Sequence, residues 1–176
     1  QGIEATYKGR PLGVIGDLGT FSFHETKNIH CGEGGLLAIN RDELSGRAEI
    51  LREKGTNRSA FFRGETDKHG WVDLGSSFLP SDLLAAVLWG QLEDLESIQA
   101  RRMAIWERYR SGLAELAANG QVLLPSIPDF ASHNAHLFYL VVESLERRAA
   151  LIAHLKRAGI MAVFHYQALH ESPVGL

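Results

Sequence analysis

Lys27 lies in the run Asp17-Leu18-Gly19-Thr20-Phe21-Ser22-Phe23-His24-Glu25-Thr26-Lys27-Asn28, which continues through Cys31-Gly32-Glu33-Gly34-Gly35. The run reads as a short alternating strand, a polar turn carrying the lysine, and glycines ahead of a second apolar strand, Leu36 to Ile39. Lysine is rarely buried unpaired, so at this position it is either a solvated surface residue or a functional amine. Ser22 and Thr26 add hydroxyl donors, and Gly32, Gly34 and Gly35 allow close approach to the backbone. That set suits a phosphate-bearing cofactor whose aldehyde the amine captures as a Schiff base. Partial desolvation lowers a lysine pKa, which makes the amine a neutral nucleophile near pH 7.

The pattern Phe21-Ser22-Phe23-x-x-x-Lys27, followed by Gly32-Glu33-Gly34-Gly35, resembles the signature of the sugar-nucleotide aminotransferases of the DegT/StrS family. The stretches Lys8-Gly9-Arg10, Arg52-Glu53-Lys54-Gly55-Thr56-Asn57-Arg58-Ser59 and Phe61-Phe62-Arg63-Gly64 resemble it too, and the similarity runs over essentially all 176 residues. The resemblance implies a pyridoxal 5'-phosphate enzyme of the aspartate-aminotransferase fold, with Lys27 as the catalytic amine that holds the cofactor. It implies that Ser22 hydrogen-bonds the cofactor phosphate. Gln1 falls on the glutamine of a D-x-x-Q motif, whose aspartate pairs with the pyridine nitrogen and would lie three residues before Gln1. The chain therefore reads as an internal or C-terminal fragment, inactive by itself.

The same resemblance places Ser77 where most of the family carries an asparagine that reaches across a dimer interface to the partner's cofactor phosphate. Leu79 stands where an arginine is usual, which leaves that role vacant. Arg58 and Arg63 are implied to meet the substrate's nucleotide diphosphate through bidentate contacts; solvated surface arginines are the other reading. Phe164-His165-Tyr166-Gln167-Ala168-Leu169-His170 resembles a family H-Y-x-P-L-H segment near the substrate, with Ala168 in place of proline. The implied reaction moves the amino group of L-glutamate to a dTDP-4-keto-6-deoxy-hexose, for surface polysaccharide or antigen sugars, in a cytoplasmic homodimer. Related enzymes that dehydrate sugars carry histidine at the lysine position, so Lys27 argues against that chemistry. A non-catalytic folded piece without cofactor is a third reading for these residues alone.

The elements that must position these groups follow from periodicity and stop signals. Residues 1–16 read as loop with a strand end. Asn40 reads as the N-cap of a helix with Glu43 completing a capping box, and Gly55 as its stop. Ser59 to Val72 is a long polar and aromatic loop expected to help close an active site. Ser81 caps a helix whose apolar stripe (Leu84, Leu88, Leu92, Leu95, Ile98, Ile105, Tyr109, Leu113, Leu116) continues to a stop at Gly120. Continuous to Asn119, it would be on the order of 55 Å long. Val122–Leu124, Leu137–Val142 and Ile160–Tyr166 read as strands and Ala149–Ala158 as a helix, a strand-strand-helix-strand order. The resulting expectation is an α/β chain: 1–80 belonging to a cofactor-binding large domain, 81–119 a linking helix, and 120–176 a small α+β domain.

A net charge of −3 with 45% hydrophobic residues is an ordinary globular composition, with no basic excess to recruit nucleic acid. No apolar run approaches the roughly 18 residues a membrane span requires. The lone Cys31 cannot form an internal disulfide, which fits a reducing compartment, and it reads as a small buried apolar residue rather than a nucleophile. His165 and His170 lack further ligands at metal spacing, so no metal is expected, and His133 and His136 read as structural or surface residues.

Overall fold

The computed structural model describes residues 1–176. The chain forms two compact units, Gln1–Tyr109 with Ser126–Phe138, and Arg110–Pro125 with Tyr139–Leu176.

The first unit is built around the antiparallel pair β3 (Leu18–Ser22) and β4 (Gly35–Ile39), in register Phe21↔Leu36 and Ser22↔Gly35. Both strands stand where the alternating pattern predicts them. Ahead of them, where the sequence predicts loop with a strand end, the chain makes a hairpin, β1 (Thr6–Tyr7) and β2 (Arg10–Pro11). Its two-residue turn puts Lys8 at φ 50 and Gly9 at φ 74, the positive angles of a hairpin turn that matches strand twist. A distant strand, β5 (Ala131–Ser132), pairs with β1, so the order is β2-β1-β5.

The helix after β4 does not start as the capping-box reading expects. The Asn40 side-chain amide donates to the carbonyls of Gly16 at 2.7 Å and Gly13 at 3.1 Å, tying down the preceding loop. A 3-10 turn at Asp42–Leu44 therefore leads into α1 (Ser45–Arg52), and no side chain caps either. At the other end Lys54 takes the left-handed conformation (φ 63), and Gly55 follows it, with its N–H donating to the Ile50 carbonyl at 2.8 Å. Gly55 has no alternative, because a Cβ there would collide with the Asp73 carbonyl. The start of the long polar loop folds into a short helix, α2 (Arg58–Phe62).

The helical stripe after Ser81 comes in three pieces: α3 (Asp82–Glu93), α4 (Leu95–Gly112) and α5 (Ala114–Ala118). Ser81 caps α3 as expected, its hydroxyl accepting from the Leu84 N–H at 3.3 Å. The breaks are single residues, Asp94 and Leu113, and the i to i−4 bonds run through them (Asp94 N–H to Gly90, Ala117 N–H to Leu113). Apolar residues of α3 and the start of α4 (Leu84, Leu88, Leu95, Ile98) pack with Ile3 and Phe21 on a buried cluster of Phe23, Ile29 and Cys31. Cys31 is thus a buried apolar residue. Trp106, buried on α4, donates its indole N–H to the Leu137 carbonyl at 3.1 Å and packs against His133 and Phe138, which fixes 133–138 on that helix. Burial pushes the His133 pKa down, with Glu107 pulling the other way.

In the second unit α5 ends at Gly120 (φ 70), with the Gln121 N–H bonded to the Leu116 carbonyl. The expected strands Val122–Leu124 and Leu137–Val142 reduce to one bridge, Leu123↔Val141, and Ile160–Tyr166 has no strand partner. A strand needs a hydrogen-bonding neighbour, and within 1–176 only that pair of residues finds one. The helix α6 (Leu145–Arg157) starts four residues before its expected start, because Ser144 caps it by accepting from the Arg147 N–H at 3.2 Å.

Candidate active site

The lysine turn is closed by main-chain bonds between its two limbs. Phe23 N–H donates to Gly34 at 2.8 Å, Cys31 N–H to Phe23 at 2.9 Å, and Glu25 N–H to Gly32 at 2.9 Å. At the tip, the Lys27 N–H donates to the His24 carbonyl at 2.9 Å, and His24 Nδ1 meets the Thr26 hydroxyl at 3.1 Å. Outside the turn, His24 Nε2 approaches a Glu33 carboxylate oxygen at 3.6 Å. Thr26 is thus engaged within the turn itself.

The glycines serve that geometry. Gly32 has φ 86, a conformation that costs a side-chain-bearing residue free energy. A Cβ on Gly34 would lie 2.6 Å from Cys31 Sγ, and one on Gly35 3.3 Å from the Phe21 carbonyl oxygen. Reading them as room for a ligand missed that the turn's own packing demands them.

Lys27 emerges half-buried, and its Nζ makes no ion pair or hydrogen bond. Ser22, also half-buried, closes β3, and its Oγ accepts from the His24 N–H at 3.4 Å, which leaves its own O–H to donate elsewhere. Gln1 is exposed, and Asn134 Nδ2 donates to its carbonyl at 2.6 Å. The turn thus carries an amine without an ion pair and a hydroxyl with a proton to give. That donor set suits an aldehyde carrying a phosphate: the amine for the carbonyl carbon, the hydroxyl for an anionic oxygen.

Behind Lys27 lies a polar network that sequence reasoning missed. Asn28 donates to the Asn134 carbonyl at 2.6 Å and to Gln99 Oε1 at 3.1 Å, and its Oδ1 meets His136 Nδ1 at 2.9 Å. Arg102 of α4 donates to the His136 carbonyl at 3.2 Å. Asn28 and Asn134 are 106 residues apart, and no local spacing links them. The one available signal was an asparagine directly beside the lysine.

The remaining candidates lie elsewhere. Arg58 and Ser77 share a separate hollow of about 130 Å³ with Arg52, Lys54, Thr56 and His69, its floor including Glu53; Lys27, Ser22 and Gln1 do not line it. Arg58 is exposed and stacks over the Phe62 ring at 5.3 Å. Arg63 is already forked onto Glu49 (2.8 and 2.8 Å) and Glu65 (2.7 and 3.0 Å), and these bonds raise its pKa while lowering both carboxylates. A diphosphate would have to displace those carboxylates. His165 and Tyr166 belong to the second unit; both are exposed, with ring centroids 4.8 Å apart, and Tyr166 sits at φ 53.

Comparison with known proteins adds to this geometry. The DegT/DnrJ/EryC1/StrS aminotransferase family matches residues 1–175. An uncharacterized protein of Methanocaldococcus jannaschii is 31% identical over 97% of the chain, which spans 45% of that relative. Among solved structures, Spr1654 from Streptococcus pneumoniae in its PLP-form superposes with a TM-score of 0.82 at 28% identity, over 97% of this chain and 43% of that one. The sugar aminotransferase CalS13 from Micromonospora echinospora superposes with a TM-score of 0.73 at 26% identity, over 89% of this chain and 40% of that one. The chain therefore has an aminotransferase fold and spans less than half the length of the relatives it matches.

Proposed function

Because this chain belongs to the DegT/DnrJ/EryC1/StrS aminotransferase family, we propose that its parent protein is a pyridoxal-phosphate-dependent sugar-nucleotide aminotransferase with Lys27 as the catalytic amine. The observation that carries this reading is the half-buried, unpaired Nζ of Lys27 on a turn braced from both limbs. Spr1654, solved in a PLP-form and a PMP-form, supports the choice of cofactor. Pyridoxal phosphate supplies an aldehyde and an electron sink.

The chain's own residues do the rest. The Lys27 amine holds the cofactor at rest, and once released it takes and returns the proton on the substrate carbon as general base and acid. The Ser22 hydroxyl donates to the phosphate, and Gln1 approaches the phenolic oxygen. Ser77 reaches a partner subunit's cofactor phosphate in a homodimer, and its place beside Arg52, Lys54 and Arg58 supports an anionic ligand there. Arg58, His165 and Tyr166 take the nucleotide-sugar, and Arg63 joins them by giving up Glu49 and Glu65. In the parent protein residues 1–80 complete the cofactor domain, 81–119 link it, and 120–176 form part of the small domain.

The substrates in this reading are L-glutamate and a dTDP-4-keto-6-deoxy-hexose, and the product is dTDP-4-amino-4,6-dideoxygalactose, made in the cytoplasm for surface polysaccharide. The stretches Arg52–Ser59 and Phe61–Gly64 resemble those of the transaminase that makes this amino sugar, which supports that substrate over other keto-sugars. In the test, the full-length protein is given pyridoxal phosphate, glutamate and dTDP-4-keto-6-deoxyglucose. A visible cofactor band and an amino-sugar product are expected, and Lys27→Ala loses both. Absence of the band in the wild-type protein would sink the reading, whereas a band without amino-sugar product would sink only the substrate.

A further inference from the structure

We propose that Asn28 and Asn134 act as a positioning pair that fixes the Lys27 turn against the Gln1–Ile3 segment; the proposal rests on the reading of Lys27 as the functional amine. Both asparagines are almost completely buried, 6% and 5% exposed, where an amide costs free energy unless every group is bonded. Theirs are. Asn28 Nδ2 donates to two oxygens, the Asn134 carbonyl (2.6 Å) and Gln99 Oε1 (3.1 Å), so Oδ1 faces His136 Nδ1 (2.9 Å) and accepts its proton. Asn134 Nδ2 donates to the carbonyls of Gln1 (2.6 Å) and Ile3 (2.8 Å), and its Oδ1 accepts from the His136 N–H at 3.2 Å.

These bonds end at informative places. One partner is the residue directly after Lys27, and two are the main-chain carbonyls of Gln1 and Ile3. The pair thus sets the distance between the amine and the segment that meets the same cofactor. Two apolar side chains of equal volume would pack the site as well and fix nothing in direction. Lys27 is otherwise held only through its own N–H to His24. Without the pair the turn keeps its limbs but the amine loses its bearing, and misplacement by about 1 Å is enough to slow a reaction severely.

The test is made on the full-length protein without cofactor. Pyridoxal phosphate is added, and the product is fixed after timed delays: the Lys27 amine condenses with the aldehyde to a C=N bond, releasing water, and borohydride then delivers hydride to its carbon while solvent protonates the nitrogen. Labelled Lys27 peptide is counted by mass spectrometry, and hydrogen exchange at the Lys27 and Cys31 amides is measured in the same samples. Asn28→Ala and Asn134→Ala are expected to slow labelling about tenfold or more and to speed exchange at Lys27. Asn40→Ala, which removes two bonds to the Gly13 and Gly16 carbonyls instead, lowers the denaturation midpoint but labels at the wild-type rate.

If the Asn28 and Asn134 variants lose stability yet label as fast as the wild type, the pair is merely structural and the proposal fails. If the wild type itself takes no label at Lys27, the functional reading fails first and the pair's role with it. Should both alanine variants not fold, Gln99→Ala decides, since it removes a single bond to Asn28: labelling slowed about two- to threefold supports the pair, and an unchanged rate overturns it.

Discussion

Gly34 and Cys31 illustrate how tightly single residues define the lysine turn. A Cβ on Gly34 would stand 2.6 Å from the buried Cys31 Sγ but a normal 3.5 Å from Phe23 Cβ. Gly34→Ala is therefore expected to destabilise the protein by about 1–3 kcal/mol, and adding Cys31→Ala should recover part of that loss; a denaturant double-mutant cycle measures the coupling. Asn134→Ala leaves two carbonyls and one N–H without their buried partner, so a loss of about 1–3 kcal/mol in the same assay is expected. The Arg63 fork makes a pH prediction. Its hydrogen bonds hold Glu49 and Glu65 below their ordinary value of 4.5, so both bind protons more weakly in the folded state than in the unfolded state. Their contribution is present above about pH 4.5 and is lost as the pH falls through the lowered values. Comparing wild type with Arg63→Met at about pH 7 and pH 3 should show the difference between them shrinking in acid. Because Glu49, Glu65 and Arg63 are exposed or half-buried, the effect at neutral pH is small.

At the scale of elements, caps decide where helices begin. Ser81 and Ser144 each accept an N–H three residues on, at 3.3 and 3.2 Å. Replacing either with alanine is expected to cost about 1 kcal/mol, read as a shift in the urea midpoint with an unchanged slope. Ser81 was legible because it directly precedes a long apolar period. Ser144 was not, because the polar first turn Leu145-Glu146-Arg147-Arg148 hides the start of α6. Asn40 shows the opposite failure. It has the right residue type and a glutamate at the right spacing, but its amide reaches two carbonyls of a loop 24 and 27 residues earlier, and a tertiary bond outcompeted a local cap.

The whole molecule exposes 13175 Å² at 19.4 kDa, against about 8,500 Å² for a compact folded chain of that mass. Much of the excess is apolar, with Leu83 80% and Trp89 65% exposed on α3. Expressed alone, these 176 residues are expected to bind an apolar fluorescent dye strongly, and the full-length protein weakly; equal binding would contradict this. No helix is long and apolar enough to cross a membrane. The sequence by itself determined the strand–turn–strand around Lys27, the cap at Ser81 and the stops at Gly55 and Gly120, because each is written in neighbouring residues as alternation, a hydroxyl before an apolar period, or a glycine after one. Only the tertiary structure decided that β1 pairs with β5 across 125 residues (Thr6↔Ser132 being 126 apart), that Arg63 is already taken by carboxylates, and that Asn28 meets Asn134 and His136 behind the lysine. Apart from Arg63–Glu65, those contacts join residues 14 to 126 positions apart. The meeting of Asn28, Asn134 and His136 follows from which buried polar groups are left to satisfy one another once the core of Phe23, Ile29 and Cys31 has closed, and no local spacing records that.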